Sequence, residues 1–393
     1  MALSLLIILS GHIKLNQNIG LVLMSGGARG AYQAGALQAI AEISKTKTLP
    51  FPYLSGISAG SLNCSYLATK ADDFSNAVST LTHVWYNMKP KDIFNTNTLK
   101  LTKVGLSWIK DFSLGGVMGK VKGRSLLDTE PLRSLLTKNL DMTYIKDQII
   151  NGNLKGIAIT ATNYYTGTSV IFFDGITGIE TWHRKMKMGV RTTITIDHLM
   201  ASSAIPFFFP AVKINDAYYG DGCVRMYTPL SPVINMGAEK ILAIGVRHER
   251  TIKTEKDLNT PYFLHYPYFA ELSGVILNAI FLDSLEEDIE HAHSKNITAL
   301  LTAKGDLSRL NFKYIPIMAL KPSIDLESLV RKAVRNFPNL IQHFLHGMGA
   351  SGETGWNLMS YLAFDSLYTS RLVELGYEDT LMVKNKLIDF MEL

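Results

Sequence analysis

LVLMSGGARGAYQAG, residues Leu21 to Gly35, crowds glycine and serine between an apolar run and a helix-like stretch. Gly20 to Met24 is short, continuous and apolar, the pattern of a strand buried on both faces. From Ala31 to Ile43 the apolar residues recur at helical spacing. The unit is therefore strand, tight turn, helix, the building block of an α/β fold. A bare turn opening a helix presents unpaired backbone N–H groups, so it suits either a phosphate or an oxyanion.

The same unit recurs. Leu49 to Ile57 reads as a strand, and ISAGSLNCSYLATK turns sharply into a helix. Asp73 to Met88 predicts another helix, with Ala77, Val78, Leu81, Val84 and Trp85 on one face. LLDTEPLRSLL restarts a helix with Asp128 or Thr129 as N-cap and Pro131 in the first turn. Strand-like runs follow at Lys155 to Thr162, Ser169 to Phe173, Ile241 to Val246 and Tyr314 to Leu320. The alternation predicts a three-layer α/β/α sandwich around a mainly parallel sheet, with a mostly helical C-terminal region. The expected division is an N-terminal extension over 1–18, a catalytic domain over 19–247 and the helical region over 248–393. Its boundary falls in the polar stretch Arg247 to Pro261. Between Lys89 and Arg124 periodicity weakens and lysines outnumber acids, which reads as a flexible basic loop or lid.

Composition narrows the partners. A chain of 393 residues with 47% hydrophobic and 19% charged residues folds and can bury a sizeable core. A formal charge of +5 falls short of a nucleic-acid footprint and favours peripheral contact with anionic lipid. Cys64 and Cys223 are the two cysteines, so no disulfide framework is expected, and buried thiols are. The opening MALSLLIILSGH lacks the basic residue and cleavage site of a signal peptide. No run of 18 apolar residues occurs, so the expected location is cytoplasmic or peripheral to a membrane.

Gly56-Ile57-Ser58-Ala59-Gly60 is a GxSxG pattern between a strand-like and a helix-like run. Such an elbow holds a serine on a strained turn that only small neighbours permit, with the hydroxyl turned outward. A serine needs a base. His248, His265 and His291 stand in the right order for an α/β-hydrolase, and none has a local signature. Asp221, between Gly220 and Gly222 in YYGDGCV, and Asp174, in FFDGITG, are carboxylate candidates on turns. The residues alone leave these open. A dinucleotide-binding oxidoreductase shares the strand–glycine–helix signature, although Ser25 interrupts the full GxGxxG. No Lys-Ser/Thr pair follows Gly30, which excludes a P-loop.

SGGARGAYQAG, GISAG, ASSAIPFFFPAV and YYGDGCV, in this order, resemble the signature blocks of the patatin-like phospholipases, a family of lipid acyl hydrolases. The resemblance runs from Gly20 to Val246, and weaker similarity to bacterial members continues through FLDSLEEDIEHAHSKN and SYLAFDSLYTSRLVELGY. It implies Ser58 as nucleophile and Asp221 as direct base, without histidine, metal or cofactor. It implies an oxyanion hole over Gly26, Gly27, Ala28, Arg29 and Gly30, with Gly56, Gly60 and Gly222 supporting the motifs. The implied substrate is a phospholipid or lysophospholipid. An acyltransferase using the same acyl-enzyme, and an inactive lipid-binding protein, are the neighbouring alternatives. The sequence names no activating protein partner.

Two positions depart from the family pattern. Ser25 stands where the first glycine is usual, and strains the turn if a positive φ is required there. Cys223 stands where glycine or alanine is usual. Three features carry two readings each. Arg29 either contacts a lipid phosphate or pairs with an acid or faces solvent. Phe207 to Phe209 either line an acyl channel or fill core. From Leu326 to Leu345 an apolar stripe, with Arg331, Lys332 and Arg335 off it and Pro338 within it, either docks on an anionic membrane or packs inward.

Overall fold

IGLVL forms β1 (Ile19–Leu23), and all five residues are buried. That is the signature of a central strand with both faces covered. The computed structural model of the protein describes residues 18–95, 125–248, 269–281, 283–301, 313–330 and 356–392. After β1 come α1 (Ala31–Ser44), β2 (Tyr53–Ile57), α2 (Ala59–Thr69) and α3 (Phe74–Tyr86). Asp73 caps α3 by accepting from Asn76 N–H, and Ala77, Val78, Leu81 and Trp85 form its buried face. Next are α4 (Glu130–Asn139), α5 (Tyr144–Ile150), β3 (Gly156–Asn163), β4 (Ser169–Gly175), β5 (Trp182–Arg184), β6 (Lys187–Arg191) and α6 (Ile196–Ser202). A hairpin of β7 (Val212–Ile214) and β8 (Ala217–Asp221) leads to α7 (Ser231–Met236) and β9 (Lys240–Ile244). The remainder is α8 (Phe269–Phe281), α9 (Asp283–Leu301), β10 (Ile317–Leu320), α10 (Trp356–Leu362), α11 (Ser366–Met382) and α12 (Lys384–Met391).

The strands form one mixed sheet in the order β10-β9-β1-β2-β3-β4-β6-β5, flanked by helices. From β10 through β3 every pairing is parallel. Beyond β3 the direction reverses, because five residues join β3 to β4 and cannot hold a crossover. The strand-like run after Tyr314 joins this sheet as β10, beside β9. On the helical side α1 and α11 cross almost backbone to backbone. A Cβ built on Gly35 would lie 1.8 Å from Val373 O, so only glycine fits.

Several expectations fall on residues outside those described. They are the extension through residue 17, the basic segment over 96–124, the boundary stretch from residue 249 and the apolar stripe beyond Val330. Where the stripe is described, Leu326 and Val330 are buried in the core. Cys64 and Cys223 are buried free thiols. Among the described residues no helix is long and apolar enough to cross a membrane.

Candidate active site

Ser58 sits between the end of β2 and the first residue of α2 with φ 54° and ψ −125°. For a residue with a Cβ this conformation costs on the order of 1–3 kcal/mol, and the surroundings hold it in place. Ser58 N–H donates to Ser202 Oγ at 2.9 Å, and that hydroxyl donates to Thr160 O of β3 at 2.7 Å. Ser58 O accepts from Ser61 N at 2.8 Å and Ser61 Oγ at 2.6 Å. The flanking glycines are obligatory because the elbow is so tight. A Cβ on Gly56 would lie 2.5 Å from Ser61 Cα, and one on Gly60 2.1 Å from Leu23 O. The start of α2 thus faces the serine and favours negative charge there.

Strand register brings Asp221 to the same place. On one edge of β3, β2 runs parallel and ends with Ile57 opposite Thr160. β4 occupies the other edge as far as Thr162. β8 pairs antiparallel with β3, placing Asp221 opposite Ala161, and so continues the edge that β2 leaves. The C-terminal ends of β2 and β8 therefore meet head to head, with Ser58 following one and Asp221 closing the other. Asp174 pairs with Ile157, four residues back along β3, roughly 13 Å from that meeting point. It accepts from its neighbour Gly175 N–H at the end of β4.

Asp221 is completely buried. Its Oδ1 accepts from Cys223 N at 3.0 Å, while Oδ2 has no hydrogen-bond partner. Burial pushes the carboxyl from its ordinary 3.8 up to about 6, and the nearby Cys223 and Ser58 side chains pull the other way. Burial and the adjacent carboxylate raise the Cys223 thiol well above its usual range, so it stays protonated. Ser25, the other departure from the family pattern, lies beside Cys223 and does not take a positive φ. The strain that its Cβ threatened does not arise.

His248 and His291 do not share this site. His248 donates from Nδ1 to Pro322 O at 3.1 Å, and His291 is exposed on α9. His265 is outside the described residues. Among the described residues, no histidine lines the pocket at Ser58.

The glycine turn is a 3-10 helix, Gly27–Gly30, directly after β1. Arg29 N–H already donates to Gly26 O at 3.1 Å, and the i→i+3 pattern uses Gly30 N–H in the same way. Among the described residues, the N–H groups of Gly27 and Ala28 have no acceptor. Gly27 takes a φ of 56°, and a Cβ there would lie 2.2 Å from Tyr361 O of α10. Arg29 is buried and turned toward α10. It donates from Nε and Nη2 to Ser360 Oγ at 2.9 and 2.6 Å and from Nη2 to Asn357 Oδ1 at 3.1 Å. It pairs with Glu327 at 3.6 Å and stacks 4.3 Å from the Tyr361 ring centre. The acid-pairing reading of Arg29 is the one observed, and its guanidinium struts the turn.

A narrow pocket opens from Ser58 and Gly27 between α2, α3 and α4, with about 40 Å³ free inside it. Its walls are almost wholly apolar, including Leu62, Tyr66, Trp85, Leu132, Leu136 and Phe209. Of the aromatic triplet, Phe209 lines it, Phe208 is buried in the core and Phe207 stands 75% exposed.

A family model described as patatin-like phospholipase matches residues 21–234. The chain belongs to the patatin-like phospholipase family. At family level it is a lipid hydrolase. The matched span contains the glycine turn, the Ser58 elbow and Asp221. Among curated protein sequences none matches this patatin-like chain. Of solved structures, VipD from Legionella pneumophila is 13% identical, covers 94% of this chain and 67% of its own, and has a TM-score of 0.34. Human GIVD cytosolic phospholipase A2, in complex with methyl gamma-linolenyl fluorophosphonate, is 12% identical, covers 100% and 61%, and has a TM-score of 0.44.

Three contributors to this patatin-like site escape sequence reading. Ser202 lay unremarked inside ASSAIP, where only its contacts with two distant strands distinguish it from Ser203. Asn63 donates to Gly30 O at 3.0 Å and Gln33 Oε1 at 2.9 Å, and accepts from Trp85 Nε1 at 2.9 Å. This buried network ties the glycine turn to α2 and α3. The signal, an amide between apolar residues of a helix, was present and looks like any polar position. The α10 residues that hold Arg29 gave no signal at all.

Proposed function

We propose that the protein hydrolyses fatty-acyl esters of phospholipids or lysophospholipids through a Ser58–Asp221 dyad. The observation that carries this is the head-to-head meeting of β2 and β8, which sets a strained serine at the mouth of an apolar pocket beside a buried carboxylate. Asp221 accepts the Ser58 hydroxyl proton as Oγ attacks the ester carbonyl carbon. The oxyanion that develops is held by the N–H groups of Gly27 and Ala28, two of the five residues named from the sequence. Collapse breaks the ester bond, and the leaving alkoxide takes the proton from Asp221. Water, deprotonated by the same carboxylate, then opens the acyl-enzyme, and Asp221 returns that proton to Ser58 Oγ as the fatty acid leaves. The apolar pocket holds the acyl chain. Family membership leaves the dinucleotide reading without support.

The test is release of free fatty acid from phospholipid vesicles together with covalent labelling by a fluorophosphonate. Label mapped to Ser58 and fatty-acid release are expected. A protein that neither labels nor releases fatty acid from any acyl ester sinks the reading. The oxyanion assignment has its own check in Gly27→Ala. The added methyl meets Tyr361 O, so the turn must move, and turnover should fall by about 10²–10³-fold while Ser58 remains in place. Turnover within a few-fold of wild type would assign the oxyanion to other donors.

A further inference from the structure

Phe207 is the first aromatic of IPFFFP, and its backbone is left-handed at φ 69°. A bulky residue in that region is strained, yet its ring is 75% exposed and gains no core contact in return. The protrusion is set by the backbone. Leu126 N donates to Phe207 O at 3.0 Å, Leu127 N to Phe208 O at 2.8 Å, and Phe209 N to Ile205 O at 2.9 Å. Ile205 and Phe209, on either side, line the pocket that begins at Ser58. Strain and exposure thus coincide on the one residue held outward between two walls of the acyl pocket.

We propose that Phe207 is an interfacial anchor whose ring enters a lipid surface and seats the pocket against it. Its purpose rests on the acyl-hydrolase reading. A lipid surface is the occupant because one phenyl ring offers only about 150–250 Å², far below the roughly 800 Å² per partner of a stable protein interface. A bilayer accepts a single aromatic ring at headgroup level. The net charge of +5 complements an anionic surface.

The experiment uses the full chain with Ser58→Ala, so that binding is read without hydrolysis, and vesicles of phosphatidylcholine and phosphatidylglycerol in equal parts. Glycine adopts φ 69° freely, so Phe207→Gly keeps the loop and should not lower the melting temperature. Its partition onto vesicles should fall by about tenfold, and Phe207→Trp should restore it. With Ser58 intact, fatty-acid release from the same vesicles should fall in parallel, while turnover of a soluble short-chain ester stays within about twofold of wild type. Equal partition of the chains with and without Phe207→Gly, including no binding by either, overturns the anchor. So does an equal loss on the soluble ester, which makes the ring part of the pocket. Absence of turnover on every ester by the Ser58 protein would instead remove the hydrolase reading, with the vesicle partition still deciding Phe207.

Discussion

Ser58→Ala should lower acyl-ester hydrolysis by about 10⁴–10⁶-fold and abolish fluorophosphonate labelling, with the fold intact. The size of the loss follows from the proposed chemistry, in which Oγ is the atom that becomes acylated. Retention of the fold follows from how the residue is held. Its structural duties run through the backbone, with N–H to Ser202 and C=O to Ser61. Alanine keeps both, and its Cβ bears the same strain at φ 54° as serine's. Loss of Oγ also deprives Asp221 of one neighbour that favours its charged form. Intact-mass analysis after labelling, steady-state turnover and a melting curve read the three consequences separately. Labelling that persists in the variant would place the nucleophile elsewhere. A cooperative melt lost in the variant would show that inactivity reflects unfolding.

The features legible in the sequence are those whose physics is local. A continuous apolar pentapeptide followed by small residues and a helical period is enough to read β1, the glycine turn and α1. The same reasoning finds β2, Ser58 and α2, because a strained elbow requires glycines two residues either side. Asp221 is visible as a carboxylate on a turn, but so is Asp174, and local pattern cannot rank them. What separates them is register on β3, with one opposite Ala161 and the other opposite Ile157. Register depends on which edge of β3 is still open once β2 stops, a property of the assembled sheet. Arg29 illustrates the same limit. Its side chain was read toward a phosphate, acid or solvent, whereas its partner Ser360 is 331 residues away. Only the packing of α10 over the turn makes that partner available. The proposed oxyanion donors are fewer than the five read from the sequence for a related reason, as the 3-10 turn occupies the N–H groups of Arg29 and Gly30 and leaves those of Gly26, Gly27 and Ala28.

Asp221→Asn should reduce turnover by about 10²–10⁴-fold and, at neutral pH, make the protein more stable. The two effects have one cause. The carboxyl titrates near 3.8 in an ordinary setting and at about 6 where burial holds it. Between these values the folded protein keeps a proton that the unfolded chain has released, so stability falls as pH rises. Below about pH 4 both states are protonated and the site costs nothing. Above about pH 6 the fold carries the full cost of a buried charge, which two pKa units set at about 3 kcal/mol. Asparagine has no charge to bury, so denaturant unfolding should show the variant level with wild type in acid and ahead by up to about 3 kcal/mol at pH 7. Catalysis runs the other way. Wild-type turnover should rise with pH around a midpoint of about 6 as the base ionises, and that limb should vanish in the variant. If the limb survives, another group titrates there and the base is not Asp221. If the limb vanishes without a gain in stability, Asp221 is the base but is not held at a desolvation cost. A base tuned by burial requires both results, because burial that makes the aspartate basic enough to work near neutral pH is the same burial that destabilises the fold.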